Sequence, residues 1–260
     1  MLASGRRILV TGGCGAIGIV ASRALADAGA VVVVNDILPA DEAHARLDDE
    51  RIHYVQADGS DEAGAATLLT AALAAADSFT DVILLAGIVR TGGLLEQTAE
   101  DFEQVLRVNV VAAALTAQAA VRQWKETGAP GNLVFVSSWV QDVPWPGIAP
   151  YSASKAALRS MARSFAREFA VDGIRANVLA PGIVGVGMAR KQWIEERDYR
   201  LRARRAVPLG QLQDPQSVAD ALLFLCSPMS AYMTGSTLVV DGGASLYPLD
   251  PDELADDDRS

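Results

Sequence analysis

The stretch Ile8-Leu9-Val10-Thr11-Gly12-Gly13-Cys14-Gly15-Ala16-Ile17-Gly18 decides how this chain folds. An apolar strand runs into a turn with four glycines, and residues at helical spacing follow as far as Ala28. Gly13, Gly15 and Gly18 satisfy the spacing G-x-G-x-x-G between a strand and a helix. Glycines there let the backbone turn tightly and approach a pyrophosphate, which rests on the positive end of the helix. Gly12, Cys14, Gly15, Ile17 and Gly18 are therefore candidate contacts to a dinucleotide. Glycine-rich turns are common, so it is the place directly after the first strand that gives this one weight.

Outward from that turn, short apolar runs alternate with helical patterns. Residues 31–34 are four valines, a strand expected to be buried on both faces. Residues 39–49 read as a short helix, 52–56 as a third strand, 61–76 as an alanine-rich helix and 82–86 as a fourth strand. In the long helical stretch 99–125, Phe102, Val105, Leu106, Asn109 and Val110 recur at helical spacing. Residues 131–137 form a fifth strand, 151–171 a helix, 174–179 a sixth strand, 214–226 a helix opened by Asp-Pro, and 237–240 a seventh strand. Such alternation predicts an α/β fold: one doubly wound domain, a seven-stranded parallel sheet with helices on both faces and right-handed crossovers. Ligands bind such a sheet at the carboxyl ends of its strands. The domain is expected to span residues 1–248, and 249–260, with six acidic residues and one arginine, to be a solvated acidic tail.

Composition narrows the function. A net charge of −10 opposes nucleic acid and anionic membrane, so neither is an expected partner. Basic residues cluster between Arg190 and Arg205, but Glu195, Glu196 and Asp198 interrupt them, as on a solvated helix face. Cys14 and Cys226 suggest no disulfide framework, and His44 and His53 have no cysteine near them, so no metal site is expected. The first residues contain no apolar signal region, and no charge-free apolar run is long enough for a bilayer. The expected location is cytoplasmic.

Asp36 closes the second strand, 18 residues after Gly18. A carboxylate there can bond both ribose hydroxyls of an adenosine and repels a 2′-phosphate. Neither Asn35 nor Ile37 adds a cation, so NAD is the expected cofactor. The other reading of Asp36 is a strand-end turn cap. Asp58-Gly59 ends the third strand, where the carboxylate either accepts from an adenine amino group or caps its loop.

Tyr151-Ser152-Ala153-Ser154-Lys155 opens a helix and places Tyr151 and Lys155 on one face. A free phenol, with a pKa of about 10, is too weak a base near neutrality. A neighbouring ammonium is expected to lower that value, and the phenol can then exchange a proton with an alcohol while hydride leaves. A surface cation–π pair is the plain alternative. Ser138, at the end of the fifth strand and 13 residues before Tyr151, can hydrogen-bond the substrate oxygen.

These pieces together resemble the short-chain dehydrogenase/reductase family over nearly the whole chain. They are the residue 11–18 loop, Asn109, Ser138, Tyr151-Ser-Ala-Ser-Lys155, Asn177 with Pro181-Gly182, Thr234-Gly235, and Val240-Asp241-Gly242-Gly243. The resemblance implies a Rossmann domain with Tyr151 as acid/base and Ser138 orienting the substrate oxygen. It implies that Lys155 lowers the phenol pKa and bonds the nicotinamide ribose. Asn109 would distort its helix and hold a water linking Lys155 to solvent. Ala86 and Gly87 would line the cofactor site, with Pro181, Gly182 and the backbone of Val184 beside the nicotinamide. It also implies a homotetramer or homodimer.

Three positions depart from the family pattern. Ala16 replaces a glycine, with Gly15 expected to supply the lost freedom. Leu84-Leu85-Ala86-Gly87 replaces Asn-Asn-Ala-Gly, so polar ties to the fourth strand are expected to give way to apolar packing. Val186 stands where a threonine often bonds the carboxamide.

The substrate pocket is expected between the 87–95 loop, the 139–150 loop and a lid at 188–205. Trp139, Val143, Trp145, Met188 and Trp193 are candidates for an apolar wall, core packing being the alternative for each. Val140 belongs to the same loop, and Gln141 and Arg90 can bond hydroxyls. The Val143-Pro144-Trp145-Pro146 stretch and residues 243–248 resemble bacterial glucose dehydrogenases of the family. The expected reaction is NAD-dependent interconversion of a secondary alcohol and a ketone on a sugar, polyol or bulky cyclic alcohol. An NADP-dependent 3-oxoacyl-thioester reductase and a non-catalytic dinucleotide sensor are the alternatives.

Overall fold

The computed structural model describes residues 1–246, and the acidic 249–260 stretch and Pro248 lie outside the described residues. The strands are β1 (Arg7–Thr11), β2 (Val31–Asp36), β3 (Ile52–Gln56), β4 (Asp81–Leu84), β5 (Gly131–Val136), β6 (Ile174–Pro181) and β7 (Thr237–Val240). They pair in parallel in the order β3-β2-β1-β4-β5-β6-β7. The helices are α1 (Ala16–Asp27), α2 (Ala40–Leu47), α3 (Glu62–Ala76), α4 (Ala99–Leu106), α5 (Ala112–Thr127), α6 (Ala149–Phe169), α7 (Gly187–Glu195), α8 (Arg197–Ala206) and α9 (Pro215–Cys226).

The sheet is covered on both faces because side chains alternate along each strand. Leu9, Val33, Val82, Leu133 and Phe135 join a core with buried residues of α3, α5 and α6. Ile8, Val10, Val32, Ile83 and Val134 face the other way, into a core with α1, α2 and α9. Strand order reverses at β1, between β2 and β4, and this opens a crevice at the carboxyl edge.

Local chemistry sets the element ends. Asp61 caps α3 by accepting from the Gly64 N–H at 2.7 Å, and Asp214 caps α9 with Pro215 at its first position. Thr98 and Asp101 form a reciprocal capping box on α4. β4 stops at Leu84, two residues short of the expected end. The Leu85 and Ala86 N–H groups donate instead to Thr11 Oγ1, at 3.1 and 3.3 Å.

The stretch expected as one long helix is interrupted. Residues Arg107–Val111 form a π-helical turn between α4 and α5, centred on Asn109, as the family resemblance implied. The whole rod Ala99–Thr127 is long and apolar enough, by length and composition, to cross a membrane. Its buried residues, among them Ala113, Ala117, Ala120 and Trp124, lie in the core beside the sheet. The 188–205 segment forms α7 and α8.

Candidate active site

The glycine turn leaves no space for side chains. Gly12 has φ +66°, and a Cβ on it would lie 2.6 Å from the Ala86 Cα. A Cβ on Gly18 would lie 2.6 Å from the Gly13 Cα and 2.8 Å from the Gly12 carbonyl oxygen. Gly15 begins α1 with no side-chain cap, and the first turn has no acidic residue, which leaves the helix start open to an anion. This backbone cradle fits a dinucleotide pyrophosphate.

Asp36 points its carboxylate back at the turn. Its Oδ2 accepts from Cys14 N–H at 3.2 Å and its Oδ1 from Ile37 N–H at 2.8 Å. A carboxylate has about four acceptor sites, so two bonds cap the turn and leave capacity for ribose hydroxyls. The two readings of Asp36 are compatible. Burial, reinforced by Asp36, raises the Cys14 thiol to about 11, so Cys14 contributes backbone rather than thiolate chemistry. Asp58 caps its own loop, accepting from Ser60 N–H at 3.0 Å, while Gly59 lies near Thr116 Oγ1.

At the other end of the crevice, Ser138 follows β5 and opens a single 3-10 turn, Trp139–Gln141. Tyr151 is the third residue of α6, after Pro150. Lys155 lies one turn on, its Nζ 5.3 Å from the Tyr151 ring centroid, and donates to the Val136 carbonyl at 2.9 Å. Ser137 Oγ donates to the Lys155 carbonyl at 2.8 Å, which ties β5 to α6. Asn109 is fully buried. Its Oδ1 accepts from Ile88 N–H, and its Nδ2 donates to the Ile88 carbonyl and to Ser154 Oγ. Ser154 Oγ in turn donates to the Tyr151 carbonyl at 2.7 Å. A chain of bonds thus runs from the π-turn to the backbone of Tyr151.

The ionisation of the pair differs from expectation. Burial pushes the Tyr151 phenol up to about 12, with a hydrogen bond to Ser138 acting the other way. Lys155 is brought down to about 8 by burial. The expected lowering of the phenol by the ammonium is therefore overturned in this structure. Desolvation dominates for both groups, and Lys155 directs a proton to Val136 rather than to the phenol oxygen. Asn109 is likewise constrained: both amide protons are used, so a water relay would rest on its remaining Oδ1 lone pair or on the backbone.

Gly87, close to both Asn109 Oδ1 and Lys155 Nζ, joins the two ends. Across from it, a Cβ on Gly182 would lie 2.7 Å from the Asp241 Cα. Gln213 braces this wall. Its Oε1 accepts from Gly182 N–H at 2.7 Å, and its backbone bonds Ile183 and Gly185. Val184 bridges Gln213 in parallel, a geometry that turns its own N–H away from Gln213; its carbonyl accepts from Val186 N–H.

The substrate side is apolar. Trp139 and Val140 are buried with Val207 and Ala244, and Val143, Trp145, Tyr151 and Ile183 pack on them. Trp139 and Trp145 meet edge to face, with centroids 5.6 Å apart. Trp193 contacts Arg204 instead of joining this wall. Gln141 is 9% exposed and its Nε2 donates to Asp142 Oδ2, while Arg90 donates to Gln104 Oε1. Met188 lies in α7, and its side chain is outside the described ones.

Known proteins resemble this chain along most of its length. The family described as enoyl-(acyl carrier protein) reductase matches residues 13–245. The chain is 31% identical over 249 residues to glucose 1-dehydrogenase of Gluconobacter oxydans strain 621H, covering 94% of this chain and 93% of that protein. The chain belongs to the short-chain dehydrogenase/reductase family.

The 2,3-dihydro-2,3-dihydroxybenzoate dehydrogenase of Escherichia coli K12 is 32% identical over 250 residues, 94% of this chain and 98% of that one. A crystal structure of gluconate 5-dehydrogenase from Burkholderia cenocepacia J2315, in complex with NADP and tartrate, superposes with TM-score 0.87 at 29% identity. It covers 94% of this chain and 96% of that one. Members of this short-chain dehydrogenase/reductase group oxidise or form secondary alcohols with a nicotinamide dinucleotide, and this chain is an oxidoreductase of that kind.

One departure from the family pattern is resolved differently from expectation. Ala16 needs no help from Gly15, because Gly15 has φ −72°, open to any residue, and the left-handed position is Gly12. The apolar packing expected in place of the family's Asn-Asn pair is present, with Leu84 buried in one core and Leu85 packed against the other. Thr11 Oγ1 holds Leu85 and Ala86, and Asn109 holds Ile88. Sequence reading missed Gln213, Ser137 and the cleft contributions of Ile183, Val207 and Ala244. Each acts through a partner remote in sequence, Gln213 on Gly182 across 31 residues.

Proposed function

We propose that this protein is an NAD-dependent dehydrogenase/reductase that interconverts a secondary alcohol and a ketone on a sugar, polyol or bulky cyclic alcohol. Asp36 carries the cofactor choice. Its carboxylate is fixed at the end of β2 by two backbone N–H groups, where it favours ribose hydroxyls and repels a phosphate. Arg46, whose charge reaches Cys14, is already paired with Glu42 at 2.6 Å.

The group supplied by NAD when bound is a nicotinamide that accepts or returns hydride. Gly12, Cys14, Gly15, Ile17 and Gly18 would hold the pyrophosphate, and Asp36 and Ile37 the adenosine ribose. Asp58 and Gly59 would flank the adenine. Ala86 and Gly87 would support the dinucleotide, and Pro181, Gly182 and Val184 the nicotinamide side. Ser138 orients the substrate oxygen and Tyr151 exchanges its proton. Lys155 would hold the nicotinamide ribose, and Asn109 positions the backbone of Tyr151 through Ser154. Val140, Gln141, Trp145 and Met188 would contact substrate. With its phenol held protonated well past neutrality, Tyr151 is suited to donate to a ketone oxygen, and alcohol oxidation gains as pH rises.

The NADP in the gluconate dehydrogenase relative makes the phosphorylated cofactor the rival reading. Initial rates with NAD and NADP at equal concentration, over sugars, polyols, cyclic alcohols and steroids, decide between them. Faster turnover with NADP overturns the reading of Asp36. Closure of residues 188–205 over ligand belongs to the same proposal, and proteolysis unchanged by cofactor plus substrate would remove it. We also place the protein in the cytoplasm as a homotetramer or homodimer. Exposed Leu106 and Val111 on the α4–α5 rod and Val239 on β7 are consistent with partner contacts, and light scattering tests the assembly.

A further inference from the structure

Helices α7 and α8, with the residue between them, carry seven basic residues between Arg190 and Arg205 against Glu195, Glu196 and Asp198. That is a net +4 within a chain of net −10, which leaves −14 on the remainder. Among the described residues, the one ion pair in this segment is Lys191–Glu195, at 3.9 Å. Arg197, Arg202, Arg204 and Arg205 are exposed, with no carboxylate of the described residues within 4.0 Å. A solvated helix face ordinarily interleaves both signs and pairs them.

The place of this charge matters as much as its size. α8 buries Tyr199 and Ala203 and ends at Ala206. Ala206 and Val207 then pack into the cluster that holds Trp139, Val140 and Tyr151. The cations therefore stand on the segment whose end closes on the proton-transfer residue. Arg204 lies 5.8 Å from the Trp193 ring centroid, and Arg200 donates to the Trp193 and Ile194 carbonyls. Arginine contacts thus join the two helices into one positively charged flap.

We propose that the substrate bears an anionic group, a carboxylate or a phosphate ester, away from its reacting alcohol, and that the α8 arginines recruit it to the cleft. This rests on the dehydrogenase reading above and names a feature of its substrate. An acidic surface repels a small anion, and a local reversal of sign beside the cleft directs the anion there. A neutral alcohol gains nothing from that field, and added salt removes the advantage.

The test compares wild type with R202Q/R204Q/R205Q and R202K/R204K/R205K. The probes are sorbitol, gluconate and sorbitol 6-phosphate, together with cyclohexanol and 4-hydroxycyclohexanecarboxylate. An anionic probe should exceed its neutral counterpart in kcat/KM by about tenfold or more at low salt. The advantage should collapse at high salt and in the glutamine variant, and survive in the lysine variant. Gluconate against sorbitol 6-phosphate separates carboxylate from phosphate. Equal use of neutral and anionic probes, or an undiminished advantage in the glutamine variant, overturns the proposal. Tryptophan fluorescence titrated with the same compounds reads binding without turnover, Trp193 being the reporter beside Arg204. Anion binding by wild type and the lysine variant alone supports recruitment, while no binding, or equal binding by all three proteins, overturns it. Anion binding without hydride transfer from any probe to NAD overturns the dehydrogenase reading and leaves recruitment standing.

Discussion

The glycine turn after β1 and the catalytic turn joining β5 to α6 lie on the same sheet edge but are built in opposite ways. The first is made of main chain: Gly12 and Gly18 pack against other backbone at distances no side chain tolerates. The second is made of side chains that burial drives from their ordinary ionisation, Tyr151 upward and Lys155 downward. The first turn is vulnerable to added volume. The second is vulnerable to altered charge, and its supports Ser137 and Ser154 bond the backbone of Lys155 and Tyr151.

Replacing Tyr151 by Phe should make the largest difference. It removes the proton exchanger while the glycine turn is untouched, so turnover should fall by about 10²–10⁴-fold with NAD affinity, measured by calorimetry, nearly unchanged. Most of the rate surviving would break the comparison at its centre.

Lys155→Met should separate function from stability. Turnover should be lost, yet the protein should become more stable near neutrality by on the order of 3 kcal/mol, because a buried cation is removed. The sign follows from the proton count. Lys155 falls from 10.5 to about 8 on folding, so between those values the unfolded chain binds more protons and stability rises with pH. Tyr151 rises from 10.0 to about 12, so across that window the native state binds more protons and stability falls as pH rises. Denaturant melts of wild type from pH 7 to 10 should show the first rise, and the methionine variant should lack it.

Gly18→Ala probes the other turn. The new Cβ forces the backbone of Gly12 and Gly13 to move, at about 1–3 kcal/mol of stability, with weaker NAD binding. Turnover at saturating NAD should change much less, since no charge in the catalytic turn is altered. Smallest is Thr11→Val, which removes the acceptor for the part-buried Leu85 and Ala86 N–H groups at about 0.5–1.5 kcal/mol. Its effect should appear as faster amide exchange at those two residues. Unaltered exchange there would show that apolar packing, not Thr11, holds the end of β4.

Legibility followed the same division. The alternation of valine-rich strands with helices predicted all seven strands, and β7 ends where expected. Ser138, Tyr151 and Lys155 could be read because one helix turn and one strand end place them. β4 was read too long because Leu85 and Ala86 are apolar enough for a strand, and nothing in their neighbourhood announces that Thr11 takes their N–H groups. Apolar character alone makes Trp193 a candidate for the cleft wall or for core packing, while the contact that places it is Arg204, eleven residues on.

Local pattern alone thus established the doubly wound sheet, the glycine turn, the carboxylate at Asp36 and the Tyr151–Lys155 spacing. All of these depend on periodicity or on residues a turn apart, which short-range sterics and hydrogen bonding govern. The tertiary structure decided the rest: a phenol near 12 and an amine near 8, the brace from Gln213, and the placing of an arginine-rich helix against the cluster around Tyr151. Desolvation and long-range contact depend on which distant segments exclude water from a group, and only the folded chain brings those segments together.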